Sequence, residues 1–576
     1  MRSRTNRIIR FGLSSLAVLT MIGQQGGAQN LPPANADRPQ ARSMVITQDG
    51  IVAAESPLAA QAGVAMLRSG GNAVDAAIAA NAVMGVVAPM SNGIGGDLFV
   101  IYYEAKTGKL YGLNASGFAP SALSAQLLRD KGNRAMPQRG IYSVTVPGAV
   151  DGWQKLLDKF GTKKFSEVLA PAIHIAEQGF PVTEWTSTLW ANNADLLRKD
   201  DEAAHVYLFN DQPMHLGQVF KNPDLAWSLR QIATGGRDAY YKGEIAKRIV
   251  KTSSQHDGVI TLDDLASFSS EWVEPISTIY RGWTVYELPP NGQGVAALEM
   301  LNLMETFPVG GADFGLNQTR TLHMMIEAKK LAYADLEHYI GEPRNNPDVM
   351  KAAMGMMAKP YAVERAKLID MNKANCAVSA GNVLPPAGDT IYLSTVDRDG
   401  NMVSLIQSNY ENFGSGLVAQ GTGFALHNRG ALFTLDANSP NVLAGLKRPL
   451  HTIIPAFMEH ENVRIAFGIM GGWNQAQAHA QYVSHIVDFK QNIQLAMETA
   501  RFTKSTFPGC DVDLENRIPG NVRAELEAKG HVIKMHNGFS NTFGGGQAVM
   551  RDFTAKVNYG ASDPRKDGEA IPELPF

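Results

Sequence analysis

Two strand–turn–strand signals in the last third of the chain restrict its fold more than any other feature. Ile391 to Val396 and Met402 to Ile406 are β-rich runs joined by Asp397-Arg398-Asp399-Gly400-Asn401, which is hairpin turn chemistry. A second pair, Thr452 to Met458 and Val463 to Phe467, surrounds a turn at 459–462 and leads through Gly471-Gly472 into a helical stretch from Gln475 to Val487. Hairpins flanked by helices predict an antiparallel α+β layered sheet rather than a doubly wound parallel one. Upstream, Leu58 to Leu67 and Ala73 to Ala88 carry helical periodicity. Gly70-Gly71-Asn72 between them is a helix stop and restart. Phe99 to Tyr103 reads as a strand after the loop Gly93-Ile94-Gly95-Gly96. Residues 150 to 380 read as mostly helical, with a loop at 289–294 and an amphipathic helix from Leu322 to Ala334.

Charge excludes several partners. Lys and Arg total 52 against 55 for Asp and Glu, a formal net charge of −3, so nothing draws the chain to nucleic acid. Its two cysteines, Cys376 and Cys510, are too few for a disulfide framework or a four-cysteine zinc site, and each reads as a structural or surface residue. The first residues read as an address: Arg2, Arg4, Arg7 and Arg10, then an apolar run from Phe11 to Ile22, then small and polar residues. That order is a secretory signal peptide over residues 1–29, which predicts a periplasmic or secreted protein. No later segment is apolar for long enough to span a membrane.

Clustered glycines are the compositional oddity, 55 in all. Such clusters mark sharp turns or close approach of backbone to a ligand. No zinc-protease, phosphate-loop, dinucleotide or nucleophile-elbow motif is present. Thr390, opening the first hairpin strand after Asp389, is on composition alone only a good strand former.

The motifs Gly70-Gly71-Asn72-Ala73-Val74-Asp75-Ala76-Ala77, Gly95-Gly96, Val146-Pro147-Gly148, Lys447-Arg448-Pro449-Leu450, Gly471-Gly472 and Asp563-Pro564-Arg565-Lys566-Asp567-Gly568 resemble those of the γ-glutamyltranspeptidase family. So do Pro171-Ala172 and Ala176-Glu177-Gln178-Gly179-Phe180. The resemblance runs from about residue 45 to the C-terminus. It implies a four-layer αββα sandwich of the N-terminal nucleophile hydrolase type. It also implies a precursor that cuts itself between Asp389 and Thr390 into a large subunit, 30–389, and a small one, 390–576, forming one shared domain. A dimer of such pairs is possible in the family, and neither cofactor nor metal is expected.

By the same resemblance Thr390 is the nucleophile, Gly471 and Gly472 are oxyanion-hole glycines, and Ser408 replaces a second threonine that steadies the nucleophile. Tyr392 stands where the family has a histidine. The acyl pocket departs from its relatives. Ser116 stands in place of an arginine, Tyr410 of an asparagine, Arg429 of a glutamine, Leu432 of an aspartate, and His451-Thr452 of a serine pair. The partners for a glutamyl α-carboxylate and α-ammonium are thereby lost. Arg429 is a new cation for a substrate carboxylate, with His427 near it in register, and no acid is evident to hold an ammonium. The expected substrate is an amide whose acyl group carries a carboxylate but no α-amine. The alternatives are a conventional γ-glutamyl transferase or glutathione hydrolase, and an exported binding protein without activity.

Overall fold

The computed structural model describes residues 38–378 and 390–575. The expected signal segment and Asp389 lie outside the described residues. Two seven-stranded sheets organise the rest. The first runs in the order Glu569–Pro572, Ile51–Ala54, Ile391–Val396, Met402–Ser408, Asp97–Glu104, Lys109–Ala115, Glu271–Val273. The second runs Val45–Thr47, Val557–Ser562, Gly546–Asp552, Val463–Ile469, Ala456–His460, Trp283–Glu287, Ile276–Tyr280. Every strand pair in both sheets is antiparallel.

The alternation of side chains along each strand decides what each face covers. In Asp97–Glu104, Leu98, Val100 and Tyr102 join a core built with helices Pro57–Arg68 and Ala73–Val87. Phe99, Ile101 and Tyr103, on the opposite face, join a separate core with Phe457, Ala466 and Val549 of the second sheet. On that sheet's far face Ile465, Phe467 and Met550 pack with helices Gly294–Glu305, Thr319–Tyr339 and Gln475–Val487. Strands buried on both faces show no polar alternation, and all six residues of Ile391–Val396 are buried.

The local signals have visible causes. Gly70 takes φ +82°. Asn72 then caps the next helix, accepting from the N–H groups of Val74 and Asp75, while the Asp75 carboxylate accepts from the Asn72 N–H. The hairpin turn at 397–401 is closed by the Asp397 carboxylate, which accepts from the Asp399 and Asn401 N–H groups.

The stretch 150–380 is mostly helical, with a few short strands inside it. Ile276–Tyr280 pairs with Trp283–Glu287, which completes the second sheet by pairing with Ala456–His460, a partner far away in sequence. One expectation needs correction. The second hairpin begins at Ala456 rather than Thr452. Pro455 has no N–H for a ladder, and 451–454 are held instead by loop contacts described below. Cys376 and Cys510 are joined by a disulfide, with Cα atoms 4.8 Å apart across 134 residues of sequence. Cys510 borders a three-stranded sheet of Phe502–Thr503, Asp511–Glu515 and Val532–His536, whose last two strands are parallel. Nothing local in the sequence announces a contact of that range.

Candidate active site

Thr390 immediately precedes the strand Ile391–Val396, whose first residue pairs with Gln407. That register sets Thr390 beside Ser408, and their hydroxyl oxygens lie 3.0 Å apart. Both residues are buried. Tyr410 turns the chain after the strand with φ +73°, which brings its N–H back onto the Ser408 hydroxyl at 2.7 Å. Either hydroxyl of the Thr390–Ser408 pair can act as the donor. A close approach also requires Gly96: a Cβ there would stand 2.5 Å from the Ser408 carbonyl oxygen.

Ser408 pairs across the sheet with Asp97, and Asp97 is the hub of a fully buried polar group. Arg429 grips it with both Nε, 2.8 Å from Oδ2, and Nη2, 3.3 Å from Oδ1. His451 Nε2 lies 2.7 Å from Oδ2, and His427 Nδ1 lies 3.5 Å from it. Burial alone would raise the Asp97 pKa, but the Arg429 charge and the two histidines outweigh it and hold the carboxyl well below its usual range. His451 is pushed down to about 4, first by burial and then by Arg429. It is therefore neutral at pH 7, and its tautomer is fixed. The Ile453 N–H donates to Nδ1, so Nε2 carries the proton given to Asp97.

Arg429 also donates through Nη1 to Thr452 Oγ1 at 2.7 Å and lies 4.7 Å from the centre of the Tyr410 ring. Tyr410, Arg429, His451 and Thr452 are thus gathered in one group beside the hydroxyl pair. Ser116 reaches it through the 289–294 loop. The Asn291 amide donates to Ser116 Oγ, and the Asn291 carbonyl accepts the His451 N–H. The expectation of Arg429 as a cation waiting for a substrate must be revised. Its charge is already matched by Asp97, because a guanidinium buried this deeply requires a paired anion.

Gly471 and Gly472 follow the strand Val463–Ile469 with φ +125° and +59°, conformations that favour glycine. Neither N–H has an acceptor among the described residues, while their carbonyls are engaged. The Asn474 N–H donates to Gly471, and Gln293 Nε2 donates to Gly472 at 2.9 Å. Gln293 donates to the Thr452 carbonyl as well, tying the glycine turn to the polar group. Asp97 and Gln293 are the two positioning residues that sequence reasoning did not single out. Asp97 directly follows Gly95-Gly96, and Gln293 lies inside the 289–294 loop, so the only signal was proximity to glycine-rich turns.

Tyr392, in the place of the family's histidine, lies in the inter-sheet core with its hydroxyl 2.8 Å from Ser404. Among the described residues one group has metal-ligand chemistry, His323, Glu327 and His531. The Lys330 ammonium donates to Glu327 Oε1 at 2.7 Å, so a cation already holds that oxygen.

A sequence model described as Gamma-glutamyltranspeptidase matches residues 59–573. The chain belongs to the γ-glutamyltranspeptidase family. A relative named glutathione hydrolase-like YwrD proenzyme, from Bacillus subtilis (strain 168), is 33% identical over 532 residues, 92% of this chain and 99% of that protein. An oxamate amidohydrolase proenzyme from Klebsiella pneumoniae subsp. pneumoniae is 32% identical over 536 residues, covering 91% and 98%. The crystal structure of a cephalosporin acylase from Bacillus halodurans superposes with a TM-score of 0.85 and 39% identity, over 94% of this chain and 98% of that one. As a γ-glutamyltranspeptidase family member, the protein is a self-processing amidohydrolase of the N-terminal nucleophile type, with a mixed α/β fold of antiparallel sheets. Among the described residues no helix is long and apolar enough to cross a membrane.

Proposed function

We propose that the precursor cuts itself between Asp389 and Thr390 and that Thr390 then carries the acyl-enzyme of an amidase reaction. The observation that carries this reading is the 3.0 Å hydroxyl pair of Thr390 and Ser408 at the head of the strand Ile391–Val396. In the precursor, Thr390 Oγ1 attacks the Asp389 carbonyl carbon. The acyl group passes from nitrogen to oxygen, and water hydrolyses the ester to release a carboxylate and a free α-amine. That amine, with an ordinary pKa of about 7.7–8.0, takes the Thr390 hydroxyl proton in each later turnover and returns it to the leaving amine. The backbone N–H groups of Gly471 and Gly472 receive the oxyanion, each donor contributing about 3 kcal/mol. The large subunit is 30–389 and the small one 390–576, sharing one αββα domain, with export directed by residues 1–29.

The acyl pocket consists of Ser116, Tyr410, Arg429, His451 and Thr452, and it takes an acyl group bearing a carboxylate and lacking an α-amine. Supporting this, Asp97, the acid at the heart of the group, is spent on Arg429 and His451. Holding a substrate ammonium there would strand the Arg429 charge. Arg429, its charge already matched by Asp97, offers a substrate carboxylate only the N–H donors that Asp97 and Thr452 leave over, as hydrogen bonds rather than as an ion pair. The oxamate amidohydrolase and cephalosporin acylase relatives are consistent with such substrates.

The test begins with processing. Wild type should resolve into two chains under reducing conditions, and Thr390→Ala should remain a single inactive chain. A panel of glutaryl, oxamate and γ-glutamyl amides then reads the pocket, and rapid turnover of the γ-glutamyl amide alone would overturn the substrate assignment.

A further inference from the structure

The cut proposed above falls between the two cysteines. Cys376 lies thirteen residues before Asp389, and Cys510 lies well inside the small subunit. The chain has no other cysteine, so the bond between them has no competing partner. Building on that processing reading, we propose that Cys376–Cys510 is a covalent tether joining the large and small chains of the mature enzyme.

The surroundings of the bond support a built junction. The Ala374 N–H donates to the Lys529 carbonyl, and the Gly509 N–H donates to the Cys376 carbonyl. The Asn375 N–H donates to Glu327 Oε2. Lys330 Nζ donates to the Asn375 carbonyl and lies 3.6 Å from Cys510 Sγ. Residues 374–376 are thus laid against helix Thr319–Tyr339 and the edge of the three-stranded sheet before any cut is made. Cys510 is buried and Cys376 exposed, which leaves one side of the bond within reach of a reductant.

Cleavage changes what the bond does. In the precursor it closes a 134-residue loop and acts by restricting the unfolded chain. Once residues 389 and 390 are separated, that loop is open, and the same bond keeps two chains at a high effective concentration. The large chain is then fixed near its new end to the small chain carrying Thr390. Forming the bond takes two electrons and two protons from the thiols. A disulfide of a thiol–disulfide oxidant accepts them and is reduced to a dithiol. That chemistry belongs to an oxidising compartment, as the N-terminal segment predicts.

The test uses purified wild-type enzyme quenched with N-ethylmaleimide and run in paired lanes with and without dithiothreitol. The expected result is two bands with reductant and one joined band without it. Cys510→Ser and Cys376→Ala should each give two bands in both lanes. Should either variant fail to accumulate, thiol titration of denatured wild type replaces it, with no thiol expected before reduction and two after. Two wild-type bands without reductant would overturn the tether and leave the processing reading standing. One band in both lanes would overturn the processing reading and the tether with it.

Discussion

The middle and the end of the same strands obey different physics. Halfway along Asp97–Glu104 and Met402–Ser408, Phe99, Ile101 and Ile406 bury hydrocarbon between the sheets, with the Ser404–Tyr392 hydroxyl contact as a polar pair among them. At one end, Asp97 and Ser408 sit opposite each other in register, and nearly every neighbour is a polar group matched to another. The apolar middle is what makes the polar end possible. A one-residue slip would turn Phe99 and Ile101 to the wrong face, so packing between the sheets pins the register that sets Thr390 beside Ser408.

The contrast can be attacked first through the charge pair. Asp97→Asn should cost about 3–5 kcal/mol in denaturant unfolding, since it strands a buried guanidinium; an effect below about 1 kcal/mol would show that Arg429 is not locked by Asp97. Acid probes the same end. The folded pKa of His451 is about 4, below the ordinary 6.5. The unfolded chain therefore takes up protons first as pH falls. Stability should be complete above about pH 7 and decline from about 6.5 toward 4, by roughly 3 kcal/mol for this fully buried histidine. A melting temperature flat across that window would contradict it. Ser408→Ala should lower kcat about tenfold and slow self-cleavage, while thermal stability changes little, because the loss is one hydroxyl contact on the nucleophile. The smallest effect belongs to the strand middle. Ile101→Val should cost about 0.5–1.5 kcal/mol and leave kcat per folded molecule unchanged, and a loss of rate there would blur the distinction between middle and end.

Much of the fold was legible because its signals are local. The Gly70-Gly71-Asn72 restart, the 397–401 turn and the helix from Gln475 to Val487 each depend on residues within a few positions, and the structure carries all three. The glycine pairs were read as framework, and Gly96 and Gly471 have the close approach and the positive φ that demand glycine. What escaped was pairing at a distance. Asp97 looked like one more residue before a strand, yet it lies more than three hundred residues from Arg429, whose charge it neutralises. Arg429 consequently looked free. The disulfide escaped for the same reason, and so did the pairing of strand Trp283–Glu287 with a partner near residue 457.

The sequence by itself determined the family, the antiparallel hairpins and the candidate nucleophile, since periodicity, turn chemistry and motif spacing are written along the chain. Only the tertiary structure decided which charges are already spent and which cysteines are joined. Desolvation forces each buried charge to find a partner, and that partner is chosen by proximity in space, which linear order does not encode.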